Sequence, residues 1–116
     1  MSAFIFHMTF DCADPERLAS FWAALTGYER MAESTQDVVA LRASDHQGVR
    51  RLSFFRVPKP KTVKNRVHVD HAAKDPGVEI ERLPQLGATH VEHRQGGLGN
   101  GWTVMLDPEG NEFCIG

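Results

Sequence analysis

The stretch NRVHVDHAAKDPGVEIERL, residues 65–83, decides the fold because the chain carries a second version of it. The other version is FIFHMTFDCADPERLASFW, residues 4–22. In both, a histidine stands seven residues before an Asp-Pro pair, and the two copies are 61 residues apart at both points. A glycine, Gly27 or Gly87, follows each copy. We infer that the chain is a twofold repeat, in which each unit runs from a strand through a helix into further strands.

The first copy has the pattern of a strand followed by a capped helix. Phe4, Phe6, Met8 and Phe10 alternate with polar or smaller residues, the period of a strand with one packed face. Asp14 suits the N-cap of a helix and Pro15 its first position. We predict that this helix ends at Gly27 and packs the apolar side of the strand. Further strands are predicted near Tyr28–Glu33, Val38–Arg42 and Arg51–Val57.

The second copy repeats this plan with one irregularity. A strand is predicted over Val67–Ala72, and a helix after Asp75-Pro76. Pro84 removes a backbone donor and clashes with the preceding turn, so we expect the end of this helix to be bent or loosened. Strands near Thr89–His93, Trp102–Leu106 and Glu112–Ile115 complete the unit, and DPEG at 107–110 is typical of a type I turn.

The length and composition fit one soluble domain over residues 1–116, built of modules 1–58 and 65–116 with a linker at 59–64. The 41% apolar residues are enough for a core, and a net charge of −2 gives no reason to expect nucleic acid. Apolar runs are too short for a membrane span, and no secretory signal is visible. Two cysteines make no disulfide framework, so a reduced, cytoplasmic location is expected. The basic linker VPKPKTVKNR is interpreted as a solvated connector, with anion or nucleic-acid binding as the less favoured alternative.

Strand alternation predicts which side chains face away from the helices. His7, Thr9 and Asp11 oppose the apolar face of the first strand, and His68 and Asp70 oppose Val67 and Val69. In the last strand Glu112 and Cys114 oppose Phe113 and Ile115. Polar groups opposite the helices on three strands indicate a concave, ligand-facing surface. Same-face neighbours in a strand lie ~7 Å apart, so any link between His68 and Asp70 is expected to be indirect.

The repeated unit, the two histidines and the ending WTVMLDPEGNEFCIG resemble the vicinal oxygen chelate superfamily, and within it the small glyoxalase-like domains. The resemblance covers essentially the whole chain. It implies an α+β fold of two tandem βαβββ modules that form a cupped, open-barrel mixed or antiparallel sheet, with the helices outside. It also implies a small molecule or metal bound inside, and a homodimer.

In metal-dependent relatives, each module supplies two ligands, and the first-strand positions match His7 and His68. Imidazole suits zinc, iron, nickel or manganese. The pattern departs at the final carboxylate, where this chain has Cys114, and the first module offers LSFFRV with no carboxylate. A site of His7, His68 and Cys114 with one open position is therefore one hypothesis. The alternative is a pair of cavity histidines without metal.

Other candidate residues follow from the same reading. Glu112 and Asp70 are the candidates for a general base, although Glu112 could instead be a surface residue of an edge strand. Phe55 and Trp102 could stack on a ligand or simply pack in the core. We interpret His71 as a partly buried, hydrogen-bonded residue at a strand end. We interpret His90 and His93 as surface residues. The glycine-rich QGGLGNG, residues 95–101, is interpreted as a flexible hairpin rather than a flap or a phosphate loop.

These observations leave three functions open. The first is a glyoxalase-like enzyme, a lyase, isomerase or related type, in which a divalent metal polarises a small organic substrate. The second is a metal-free protein that sequesters a small molecule, as resistance-type relatives do. The third is a domain used mainly for dimer assembly. The missing carboxylates favour the second over the first.

Overall fold

The computed structural model describes residues 2–44, 48–95 and 101–116. The chain divides into two compact units, Met1–Pro60 and Lys61–Gly116, which meet within the predicted linker. Each unit is a βαβββ module, as the repeat predicts. Among the described residues, no helix has the length and apolar character needed to cross a lipid bilayer.

The first module is a four-stranded mixed sheet with one helix. Its elements are β1 His7–Cys12, α1 Pro15–Thr26, β2 Glu29–Arg30, β3 Val38–Arg42 and β4 Arg51–Arg56. The strand order is β1-β4-β3-β2, in which β1 and β4 are parallel and the other pairs antiparallel. The Asp14 carboxylate accepts the Arg17 amide at 3.2 Å, and Gly27 ends the helix at a φ of 78°. Both caps stand where the sequence predicts them.

The second module repeats this topology. Its elements are β5 Val69–His71, α2 Pro76–Arg82, a 3-10 helix Leu83–Leu86, β6 Thr89–Arg94, β7 Trp102–Leu106 and β8 Glu112–Ile115. The strand order is β5-β8-β7-β6, again with a parallel first pair. The α-helix gives way to the tighter helix just before Pro84, which confirms the predicted disturbance.

Each sheet buries one face against its own helix. In the first module, the Phe10 ring lies 4.9 Å from Trp22 and 5.1 Å from Phe54, between centroids. In the second, Thr103, Met105, Phe113 and Ile115 are almost wholly buried. Phe10, Phe113 and Ile115 alternate along β1 and β8 with the polar positions, so the predicted division of faces is confirmed in these strands. In β7, Thr103 and Met105 alternate instead with apolar residues, Trp102, Val104 and Leu106.

The apolar pattern extends beyond the strands at two places. Phe4 and Phe6 were expected to pack on the helix, but they precede β1 and are 73% and 44% exposed. Val67 likewise precedes β5 and is 74% exposed. Both expectations are wrong for one physical reason. A residue outside the hydrogen-bonded ladder is not held in the pleat, so alternation does not fix the direction of its side chain.

The DPEG turn positions the last strand. The Gly110 amide donates to the Asp107 carbonyl at 2.9 Å, which closes the turn. The buried Asp107 carboxylate accepts the amides of Glu109 and Asn111 at 2.9 and 3.0 Å. This network fixes the start of β8, where Glu112 and Cys114 lie.

Candidate functional site

The face of the second sheet opposite its helix forms one wall of a pocket of about 1050 Å³. All the described residues that line the pocket belong to the second module. Its polar residues include His68, Asp70, Glu112 and Cys114, and its apolar residues include Trp102, Val104 and Leu106. Four sequence candidates and the stacking candidate Trp102 therefore meet in one concavity.

Three of these polar groups form a cluster. The β5–β8 register places Asp70 beside Cys114, and Nδ1 of His68 lies 3.2 Å from Oδ1 of Asp70. The same nitrogen lies 3.9 Å from the Cys114 sulfur. The expectation of an indirect link between His68 and Asp70 is wrong, because His68 precedes β5 and is free of the strand's spacing. The carboxylate orients the imidazole directly.

The Cys114 thiol is held in its neutral form. Burial raises the pKa of Cys114, and the charge of Asp70 and a hydrogen bond with it raise the pKa further. Lys64 and Arg94 oppose this, and the result is a pKa of about 11. Because the thiolate is the nucleophile and the metal ligand, the sulfur is unreactive at neutral pH unless a cation binds beside it.

Glu112 is engaged by the segment that precedes β5. Its carboxylate accepts from Lys61 Nζ at 2.7 Å and from the Asn65 amide at 2.8 Å. Burial alone would raise the pKa of Glu112, but these hydrogen bonds and the charges of Lys61 and Lys64 outweigh it and lower the pKa. A carboxylate stabilised in this way is a weaker proton acceptor than a free one.

His71 lies on the helix side of β5, as expected of a half-buried, hydrogen-bonded residue. The Cys114 carbonyl can only accept, so Nδ1 of His71 carries the proton and donates at 3.2 Å. The ring also meets Phe113 edge-on, with centroids 5.7 Å apart. Burial lowers the pKa of His71, although the Cys114 carbonyl and the charge of Asp70 partly oppose this.

The remaining candidates lie elsewhere in the chain. His7 and Phe55 belong to the first module, where the β1–β4 register puts them on the sheet face opposite the helix. Cys12 is buried at the end of β1, and its thiol donates to the Phe55 carbonyl at 3.5 Å. Whether His7 joins His68 in one site stays a prediction, and so does the stacking role of Phe55.

Two further interpretations concern the strand β6 and the segment after it. His90 and His93 are exposed, as expected, but His93 also bonds Thr103 at 3.0 Å. Gln95 Nε2 donates to His93 Nε2 at 3.0 Å, which leaves the His93 proton on Nδ1. Of the glycine-rich stretch 95–101, residues 96–100 lie outside the described residues, so its interpretation as a hairpin stays a prediction.

A model of the glyoxalase-like domain family matches residues 7–116. The chain belongs to this family. It is thereby a member of the vicinal oxygen chelate superfamily, which confirms the resemblance seen in the sequence. A comparison with curated protein sequences gives no match.

Solved structures share the fold of this glyoxalase-like protein at low sequence identity. FosX, a fosfomycin resistance protein of Listeria monocytogenes solved with manganese(II) and a dihydroxypropylphosphonic acid, is 15% identical with a TM-score of 0.78. The alignment covers 99% of this chain and 90% of FosX. A glyoxalase/bleomycin resistance/dioxygenase family protein of Burkholderia phytofirmans PsJN is 16% identical, with a TM-score of 0.75 and 97% of each chain covered.

A third relative was solved with a copper(II) complex bound. The bleomycin-binding protein of Streptomyces verticillus, in complex with copper(II)-bleomycin, is 18% identical with a TM-score of 0.65. The alignment covers 99% of this chain and 97% of that one. At such identities the likeness shows the fold alone, and the site must be judged from this chain's own residues.

The donor set of this glyoxalase-like protein fits a transition-metal ion. The donor atoms of His68, Asp70 and Cys114 all lie within 4.8 Å of one another. Zinc–nitrogen and zinc–oxygen bonds of about 2.0 Å and a zinc–sulfur bond of about 2.3 Å separate tetrahedral ligands by roughly 3.3–3.6 Å. The observed 3.2 and 3.9 Å separations are close to that range. Imidazole, carboxylate and thiolate together suit a borderline ion such as zinc.

Sequence reasoning missed the role of the basic linker. Lys61 and Asn65 bind Glu112, and Lys64 lines the pocket, so this part of the linker is more than a solvated connector. The run of basic residues was the available signal. Nothing in the spacing showed that it returns to β8, because the contact spans 51 residues for Lys61.

The lowered pKa of His71 predicts a stability change with pH. In the unfolded chain His71 takes up a proton near its ordinary pKa of 6.5, whereas in the folded protein it does so only at a lower pH. The unfolding free energy should therefore fall as pH drops through 6.5 towards the lower pKa of the folded state. Urea unfolding between pH 8 and 5.5 measures this slope. His71→Gln, which retains a donor for the Cys114 carbonyl, should flatten it. The exposed-site control His90→Gln should keep the wild-type slope, and an unchanged slope in His71→Gln would contradict the assignment.

Proposed function

We propose that this glyoxalase-like protein binds a small organic molecule with an apolar body in the pocket of its second module. One observation supports this above all. The pocket combines an apolar wall of Trp102, Val104 and Leu106 with a cluster of polar groups at His68, Asp70 and Cys114. Small-molecule sites are typically concave and mostly apolar, with a few polar groups that orient the ligand.

The chemistry of the polar groups suits recognition better than covalent catalysis. Cys114, with a pKa of about 11, is a neutral thiol, and Glu112 is stabilised as a carboxylate by Lys61. Asp70 is the more available base, since 74% of its side chain is exposed. It can hold the His68 ring and accept a proton or hydrogen bond from a ligand. The bleomycin-binding relative and FosX were each solved with a bound organic molecule, which supports an organic ligand.

A metal-assisted enzyme is the second candidate, favoured by the His68–Asp70–Cys114 cluster. In this proposal His68 and Cys114 hold a divalent ion, with Asp70 as a nearby carboxylate and His7 as the ligand that the first module would supply. A bound divalent ion would act as a Lewis acid on substrate oxygens. The protein's own contribution would be to bring the donor groups together through the β5–β8 pairing and to shield the site with the apolar wall. Assembly as a homodimer and a cytoplasmic location belong to the same proposal.

Binding of a neutral apolar dye tests the first candidate. N-phenyl-1-naphthylamine should bind the wild-type protein with a rise in fluorescence. Val104→Arg should weaken binding at least about tenfold, because it fills the apolar wall and puts a charge there. Val78→Arg is the matched control, since Val78 lies on α2 outside the pocket lining and is 56% exposed. Equal affinity in the two variants, or no binding to wild type, would contradict the proposal.

Cobalt(II) absorption tests the second candidate. Cobalt(II) bound by a thiolate gives a charge-transfer band in the near ultraviolet, and binding should release the Cys114 proton. Cys114→Ser should abolish the band, whereas His7→Gln and His68→Gln should each lower the affinity at least about tenfold. The exposed-site control His90→Gln should leave the titration unchanged. A wild-type protein without the band, or a band that persists in Cys114→Ser, would exclude this site.

A further inference from the structure

We infer that the molecule bound in the pocket carries an anionic group, and that Lys64 receives it. This inference rests on the proposed function and specifies the ligand class: an organic acid with an apolar body. Its basis is the pattern of charge pairing around the pocket, together with the position of Lys64 at one end of the apolar wall.

The carboxylates of the pocket lining each have a partner of their own. Glu112 accepts from Lys61 at 2.7 Å, and 11% of the Glu112 side chain and 25% of the Lys61 side chain are exposed. Glu92 pairs with Arg94 at 2.6 Å, and Asp70 contacts His68 at 3.2 Å. The positive charges of Lys61 and Arg94 are therefore already matched within the module.

Lys64 is the exception. Within the described ranges it makes no ion pair, and the contact found for its ammonium is the neighbouring Asn65 carbonyl at 3.4 Å. It nevertheless lines the pocket, and its charge lowers the pKa of both Glu112 and Cys114. An ammonium group in a concave site, without a carboxylate of its own, is a suitable partner for an anionic ligand group.

The position of Lys64 sets the direction of the ligand. Lys64 precedes Asn65, whose amide donates to the Glu112 carboxylate. Glu112 pairs with Leu106 in the β7–β8 register, so Lys64 lies at the Leu106 end of the apolar wall. The exposed Asp70 instead lies beside Cys114, two residues further along β8. The negative charge of Asp70 is thus kept at the Cys114 position, while Lys61 neutralises Glu112 at the Lys64 end.

The apolar wall extends away from that end. Leu106, Val104 and Trp102 occupy alternate positions of β7, so their side chains follow one another on the pocket face. A ligand whose acid group meets Lys64 would lay its apolar body along these three side chains. At the far end of the wall, Arg94 lies opposite Trp102 and forms an ion pair with Glu92.

Two dyes with the same ring system separate the charge from the apolar body. 1-Anilinonaphthalene-8-sulfonate is the anion and N-phenyl-1-naphthylamine its neutral counterpart. In low-salt buffer, Lys64→Gln should lower the affinity for the anionic dye about fivefold. This corresponds to about 1 kcal/mol, as expected for one ion pair at a partly exposed site. The affinity for the neutral dye should change less than twofold. Lys59→Gln, a linker lysine outside the pocket lining, should leave both affinities at wild-type values.

Every outcome of this comparison is decisive. A selective loss of the anionic dye in Lys64→Gln supports the inference, and added salt should reproduce that loss in the wild type. A second outcome is that Val104→Arg weakens the binding of both dyes, while Lys64→Gln weakens the binding of neither dye or of both equally. The anion assignment is then wrong, and the proposed pocket stands. If neither dye binds the wild type, both the inference and the proposed function fail. Circular dichroism of each variant checks that the fold is retained.

Discussion

The site depends on the parallel pairing of β5 with β8. This pairing joins the first strand of the second module to its last, and its register sets Asp70 beside Cys114. Buried Phe113 and Ile115 hold β8 against the helix side, so the alternate residues Glu112 and Cys114 must face the pocket. A one-residue slip would reverse both faces of the strand, and the apolar core therefore fixes the chemistry of the opposite surface.

Most of the fold follows from patterns that local physics determines. The alternation in β1 and β8, the Asp-Pro helix starts and the disturbance at Pro84 all appear where the sequence predicts them. The faces of the sheets follow wherever the hydrogen-bonded ladder is regular, whereas β6 has a register shift between His90 and Glu92. The prediction failed at Phe4, Phe6 and Val67, which precede their strands, since the pleat does not constrain them there.

The candidate site was predictable in its members but not in its contacts. Strand position put His68, Asp70, Glu112 and Cys114 on one face, and the pocket brings them together. The direct His68–Asp70 contact and the Lys61–Glu112 pair depend on irregular backbone before β5, for which the sequence has no periodic signal. These contacts change the chemistry, because one orients an imidazole and the other stabilises a carboxylate that would otherwise be a candidate base.

The pKa of Cys114 tests the account most directly, because it reports the proximity of Asp70 and the burial of β8 together. The measurement is a pH titration of the Cys114 ¹³Cβ chemical shift in a Cys12→Ser background. The titration should give a pKa of about 11 for the Cys114 thiol, above the ordinary thiol pKa of 9.0. Asp70→Asn should lower this pKa by removing the neighbouring negative charge, whereas Glu81→Gln, on the exposed side of α2, should not. An ordinary pKa in the wild-type protein, or a pKa unaffected by Asp70→Asn, would show that the cluster does not form.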